Sequence, residues 1–446
     1  MNTNDLPTVQ FLICSHDEAA ERRNICEHLA ADHSLDYYQR FTGHGLLYHF
    51  VCPGCGQIPV DTVTPIRGVC LNCFTDFGED RNFLGVLGRP EILVCPSGLS
   101  FSHETVTLGQ PLGEVILAIQ PISTAPTPVC ITLTERGELC RVDLAARLVT
   151  PLARILDADV NLAEEISLHL SQDGDLVAVV NPFGQYGVVA DLASGQITMR
   201  LERGNDHTKH CRFPISFINL DGRTLLVHAK AWNRLDVSDP RTGKLLTERG
   251  PTYYQTGEAQ PPHYLDYFHA GLLASPNGEW IADNGWVWHP VGAVRTWSLR
   301  GWVEENVWES EDGPSLRTLC RRDYFWGRPL CWLDDLTLAI WGYGEDDDFI
   351  IPAVRVFDVA TGKESRWFAG PDGELAFDTY LFAFSEEHGT TVWETKTGER
   401  LHLEPGLKPE CYHPGAKVFI SLLPDGRFQV SRLMQNGDTG LFISPT

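Results

Sequence analysis

Arg355-Val-Phe-Asp-Val-Ala-Thr-Gly-Lys363 and Thr391-Val-Trp-Glu-Thr-Lys-Thr-Gly-Glu399 read alike: a short β-branched and aromatic run, an acidic residue, then a turn closing on glycine. The first part favours a strand and the second a tight connection to the next one. Two more stretches end in the same kind of turn, Asp191-Leu-Ala-Ser-Gly195 and Asp239-Pro-Arg-Thr-Gly243. A second signal alternates with the first: Asp173-Gly174, Asp221-Gly222, Asn277-Gly278 and Asp425-Gly426 each precede an apolar run. Such dipeptides tolerate positive φ and mark hairpins. One pair of signals recurs every roughly 36–60 residues, the length of a four-stranded blade with variable loops. The units fall at 112–160, 165–204, 212–250, 268–315, 328–370, 373–406 and 410–440. A strand near Ile92 to Cys95, or Thr105 to Leu108, would complete the last unit and close a ring. The predicted fold is therefore all-β, a propeller of about seven blades over 91–446. A pair of β-sandwiches would instead give two blocks with different turn patterns.

The two opening stretches resemble the third strand and following turn of a WD-repeat blade, in which Val-Trp-Asp precedes a Thr-Gly turn. Phe357 stands for the Trp in one copy and Glu394 for the Asp in the other. The Gly-His dipeptide that opens such repeats is missing from the expected places, so the resemblance is to a divergent WD-repeat-like propeller. The Trp-rich docking motif of quinone-cofactor propellers is not found.

Residues 1–90 read differently. Cys52-Pro-Gly-Cys55-Gly and Cys70-Leu-Asn-Cys73 have the spacing of a four-thiolate zinc site. Pro53 and Gly54 permit the tight turn that aims Cys52 and Cys55 at one ion. The arrangement resembles a zinc ribbon, with metal ligands Cys52, Cys55, Cys70 and Cys73 and one structural zinc. Four thiolates leave no coordination position open for catalysis. Residues 17–31 are good helix formers, with Ser15 and Glu18 as a capping box. The N-terminal unit is thus expected to be a small α+β module of a helix plus a zinc-ribbon-like fold.

Charge bounds the partners. The chain carries a net charge of −24 and has a pI of about 5.0. Within residues 1–90, six basic residues stand against eleven acidic ones. Such a surface repels phosphate backbones, which disfavours nucleic acid even for a ribbon. The first residues carry Asp5 and Pro7 and lack the basic-then-apolar pattern of a secretory signal. No run approaches the ~18 apolar residues of a membrane span. Thirteen cysteines without framework spacing suit a reducing compartment, so the expected location is the cytoplasm.

Nine of the twelve tryptophans lie between residues 280 and 341, among acidic stretches that include Glu304, Glu305, Glu309, Glu311 and Asp312. Blade cores account for many of them. Trp302, Trp308 and Trp326 flank loop-like acidic sequence and are the candidate partner-binding anchors. Glu345 to Asp348 read as a solvated hairpin tip, because they lack the spacing of a calcium loop. His207, His210 and Cys211 offer three metal-ligand types without a fourth partner. A nucleophile elbow, a phosphate loop and a zincin helix are all missing from the sequence. The functional expectation is a non-enzymatic protein–protein interaction scaffold, with oligomeric state open. The alternatives are a hydrolase- or lactonase-type enzyme with its site in the central channel, and nucleic-acid binding through the ribbon.

Overall fold

Seven antiparallel sheets succeed one another along the body, and six of them are built wholly from strands adjacent in sequence. Blade 2 shows why. Its second strand, Leu176–Val180, is apolar at all five positions and buried at all five. Alternate side chains leave opposite faces of a strand. Val177 and Val179 pack with Ile131 and Leu139 of blade 1, whereas Leu176, Ala178 and Val180 pack with Ile215 and Leu226 of blade 3. A sheet covered on both faces by its neighbours needs continuous apolar runs, and radial repetition supplies both covers.

The computed structural model describes the chain apart from residues 1–21, 33, 42–47, 59–65, 71–80, 110–111, 113–114, 157, 255–256, 258, 289–290, 345–349 and 436–446. Two units are distinguished, Met1–Glu91 and Ile92–Thr446. In the second, the blades occupy 116–154, 167–202, 215–238, 268–323, 330–369, 374–404 and 411–434. The ring closes because Ser100–Val106 joins blade 7 as its outer strand, with Val106 opposite Phe428 and Ser100 opposite Met434. The first strand of blade 7, Cys411–His413, lies beside the first strand of blade 1, Ile116–Pro121. Neither candidate closing segment is the strand itself: Ser100–Val106 overlaps Thr105 to Leu108 only at Thr105 and Val106. Ile92 to Cys95 instead lies along the edge of blade 6, where Val94 forms a parallel bridge to Arg400.

Blade 3 has three strands, Ile215–Leu220, Arg223–Ala231 and Arg234–Ser238. Its outer edge is covered by the segment around 245–249: Leu246 N–H donates to Val237 O at 2.8 Å, and Arg249 Nη2 donates to Leu235 O at 2.7 Å.

The alternation of strand direction gives the propeller two distinct ends. One end carries the first-to-second and third-to-fourth strand connections, with Asp173-Gly174, Asp221-Gly222, Asn277-Gly278 and the Thr/Ser-Gly turns, whereas Asp425-Gly426 joins the second and third strands of blade 7. The other carries the connections from second to third strand and from blade to blade.

The N-terminal unit is a five-stranded mixed sheet of β1 (Arg22–Cys26), β2 (Tyr37–Phe41), β3 (Tyr48–Val51), β4 (Ile66–Cys70) and β5 (Phe83–Leu87), in the order β4-β1-β3-β2-β5. Two short helices follow strand ends, α1 (Glu27–Ala31) and α2 (Pro53–Gly56). The predicted helix over 17–31 is therefore corrected: Arg22–Cys26 is a strand and only Glu27–Ala31 is helical, while residues 17–21 lie outside the described ones. Intrinsic propensity lost to pairing, since β1 is bonded on both sides, to β3 and to β4.

Candidate metal centre

Strands β1 and β3 are parallel neighbours, with Asn24 opposite His49 and Ile25 opposite Phe50. Parallel pairing brings both C-terminal ends to one edge of the sheet. Each end continues into a short helix and carries two potential ligands, Cys26 and His28 after β1, Cys52 and Cys55 after β3. Their four ligand atoms lie within 4.8 Å of one another. A tetrahedral zinc with ~2.3 Å bonds to sulfur holds its thiolates a little under 4 Å apart, so this set is close to the geometry an ion would impose. Among the described residues it is the one group of His, Cys, Asp and Glu side chains so arranged.

The surrounding contacts fix the two turns. His28 Nδ1 lies 3.1 Å from Cys55 Sγ. Cys52 N–H donates to Cys26 Sγ at 3.3 Å, and Cys55 N–H donates to Cys52 Sγ at 3.5 Å. Pro53 occupies the start of α2, where its fixed φ suits the turn and its missing N–H costs nothing. From β2, Arg40 donates to the carbonyls of Cys55 and Ile58. Arg81 Nη2 donates to Leu29 O at 3.0 Å and pins α1. A Cβ at Gly56 would lie 2.8 Å from Leu87 Cδ1, so a side chain there would displace the tip of Leu87.

Cys26, Cys52 and Cys55 are buried and His28 is exposed. Burial, then the neighbouring Cys26 and Cys52, push the Cys55 thiol up to about 12, and burial raises Cys26 as well. The raised Cys26 and Cys55 thiols resist ionisation unless a cation replaces their protons.

Of the expected ligands, Cys52 and Cys55 are in this cluster. Cys70 ends β4, which runs antiparallel to β1 with Cys70 opposite Arg22 and Ile66 opposite Cys26. That register places the Cys70 backbone four residues along from Cys26, about 13 Å at strand rise. The Cys70 side chain and the whole of Cys73 lie outside the described residues. Cys26 and His28 were missed because residues 17–31 were read as a helix. The available signal was the likeness of two short segments, Asn24-Ile-Cys26 and Phe50-Val-Cys52, each an apolar strand end running into cysteine.

The expected aromatic anchors separate. Trp302 is fully buried in the core between blades 3 and 4, edge-on to Trp297 at 5.8 Å, with Nε1 donating to Val307 O at 3.1 Å. It is therefore a core residue and not a surface anchor. Trp308 is half-buried, stacked on His263 at 4.1 Å and 5.4 Å from the Arg249 guanidinium. Trp326 is half-buried, stacked on Trp286 at 5.2 Å, and donates to His210 O at 2.6 Å. The acidic stretch beside them also turns inward. Glu309 and Glu311 are buried, and Arg249 bridges Asp236 at 2.8 Å and Glu311 at 2.6 Å.

The His207, His210 and Cys211 side chains are used separately. His207 packs edge-on to Phe268 at 5.0 Å and to Trp288 at 5.2 Å, while Cys211 Sγ accepts from Trp286 Nε1 at 2.8 Å. Residues Glu345 to Asp348 lie outside the described ones. No helix among the described residues is long and apolar enough to cross a membrane. The chain matches no protein-family model and no curated protein.

Proposed function

We propose that the protein is a docking scaffold, whose propeller presents one end to a partner protein and whose N-terminal module is held folded by one structural zinc ion. The docking reading rests on an asymmetry. Among the described residues of the propeller, six aromatic side chains are strongly exposed: Phe183, Tyr186, Tyr253, Tyr254, Trp288 and Tyr324. All six lie on, or directly beside, the second-to-third-strand and blade-to-blade connections at one end. Exposed aromatics gathered on one surface are the material of interface hot spots. Trp326, half-buried, lies at the same end, 6.3 Å from Tyr324. The test is co-purification from native cells of full-length protein and of a Trp288→Ser/Tyr324→Ser variant. A partner retained in moderate salt by the wild type and lost by the variant is expected. Equal recovery with both proteins would overturn the assignment of the surface.

Three thiols and one imidazole complete a tetrahedral shell, so the ion would supply folding energy and not catalysis. Elemental analysis should find one zinc per chain. Cys26→Ser and Cys55→Ser should lose it, and Cys70→Ser should keep it. Loss of zinc in Cys70→Ser would restore the ribbon ligand set. The ten described cysteines are free thiols, which supports a reducing compartment such as the cytoplasm. The third strands of blades 5 and 6, with their Val-Phe-Asp and Val-Trp-Glu sequences, support a divergent WD-repeat-like propeller.

A further inference from the structure

At the aromatic end of blade 2, a cavity of about 610 Å³ is lined by Phe183, Tyr186, Asp159, Glu164, Glu165 and Lys209, among others. This volume falls within the ~300–1,000 Å³ of ligand sites. We infer that it is a socket for a lysine or arginine side chain carried by a partner segment. The inference rests on the docking reading and assigns its chemistry.

The walls are pre-organised. Asn181 is 7% exposed, donates to the carbonyls of Asn161 at 2.8 Å and Glu165 at 3.0 Å, and accepts from Asn161 N–H at 2.9 Å. It ties the segment carrying the two glutamates to the turn carrying Phe183. Arg203, 5% exposed, donates to five main-chain carbonyls, those of Pro182, Gly184, Thr208, Cys211 and Arg212. It ties the same turn to the segment carrying Lys209. Loops held in this way lose little freedom when a ligand enters.

The chemistry of the walls selects a cation. Phe183 and Tyr186 are 41% and 52% exposed and offer apolar faces to an aliphatic stem. Arg212 already lies 5.7 Å over Phe183, so one ring is in use under a guanidinium. Asp159 is engaged by Arg200, whereas Glu164 and Glu165 are exposed and have no ion-pair partner among the described residues. Lys209 is the one cation in the lining and would compete with an incoming one.

The test uses the full chain and a fluorescein-labelled peptide, four repeats of Gly-Lys-Ala, beside the same peptide with acetylated lysines. The lysine peptide should bind saturably and the acetylated one should not. Glu164→Gln/Glu165→Gln and Tyr186→Ala should each weaken binding about tenfold, a change of ~1.4 kcal/mol. Lys209→Ala should strengthen it. Glu386→Gln/Glu387→Gln, an equal loss of charge on exposed residues of another connection, should leave it within about twofold. Equal losses in both glutamate pairs would reduce the effect to net-charge attraction and overturn the socket, as would no saturable binding to the wild type. A native partner that ignores Glu164→Gln/Glu165→Gln but needs Trp288 would sink the socket alone. Absence of any partner would sink the docking reading.

Discussion

The Arg249 side chain is 0% exposed, between Asp236 at 3% and Glu311 at 1%. Burial on its own raises the Asp236 carboxyl, and the adjacent Arg234 and Arg249 pull it back down. Arg249→Met removes the shared cation, leaving Glu311 buried without its ion pair and Asp236 with Arg234 alone, which should cost about 3–5 kcal/mol. Urea unfolding would show it; a loss under 1 kcal/mol would mean that water reaches the site. His228 gives a pH counterpart. It is 0% exposed and bonded to Ser238 Oγ at 3.0 Å, and burial lowers it from its ordinary 6.5 to about 4. A lowered histidine favours the folded state only while neutral. Its contribution is complete above pH 6.5 and is lost as the pH falls towards 4, at up to ~1.4 kcal/mol per pH unit. The stability gap between wild type and His228→Gln should narrow over that window. A constant gap would show that His228 does not titrate differently on folding. The acidic stretch around Glu309 illustrates a limit of the sequence: the partner that draws it inward, Arg249, lies about sixty positions away along the chain.

At the scale of elements, turn glycines carry two separable costs. Gly278 has φ 73°, and a Cβ there would lie 2.2 Å from Asn219 O of the neighbouring blade. Gly222 has φ 76° with nothing within 4 Å of its Cβ. Gly222→Ala should cost only the left-handed backbone, about 1–2 kcal/mol, and Gly278→Ala should cost clearly more. Equal losses in thermal or urea unfolding would rule out the steric part. These turns were readable from sequence because a turn is a local contract between adjacent residues. The strand β1 was not, since its conformation depends on Tyr48–Val51 and Ile66–Cys70. The metal centre inherits that limit. Two Cys-x-x-Cys turns are visible in the sequence, but the neighbours of the first come from register: parallel pairing with β3 brings Cys26 to Cys52, and antiparallel pairing with β4 carries the Cys70 backbone to the other end of β1.

For the molecule as a whole, the blade count was legible because six of the seven blades carry at least one of the two turn signals and blades 2 and 3 carry both, and ring closure was legible only as a demand for one more strand. Ser100–Val106 meets that demand from the opposite end of the chain, seven residues paired with Phe428–Met434. Val106 and Phe428 also enter the core that joins blade 7 to blade 1, beside Cys130 and Val142. The closing strand therefore supplies both ladder bonds and apolar burial, and the ring has no other way to hide the edge of blade 7. A chain of residues 92–446 contains both halves of the closure and should unfold in one cooperative transition. A chain beginning at residue 108 lacks the strand and should unfold over a broader range, with blade 7 exchanging its amide hydrogens first. Metal chelation gives the reciprocal test. If the Cys26, His28, Cys52 and Cys55 cluster holds an ion, removing it should expose the amides of the N-terminal unit to exchange and leave those of the blades protected. Protection lost throughout the propeller on chelation would show that the two units fold as one. Unchanged protection near Cys26 and Cys55 would show that no ion supports that edge of the sheet.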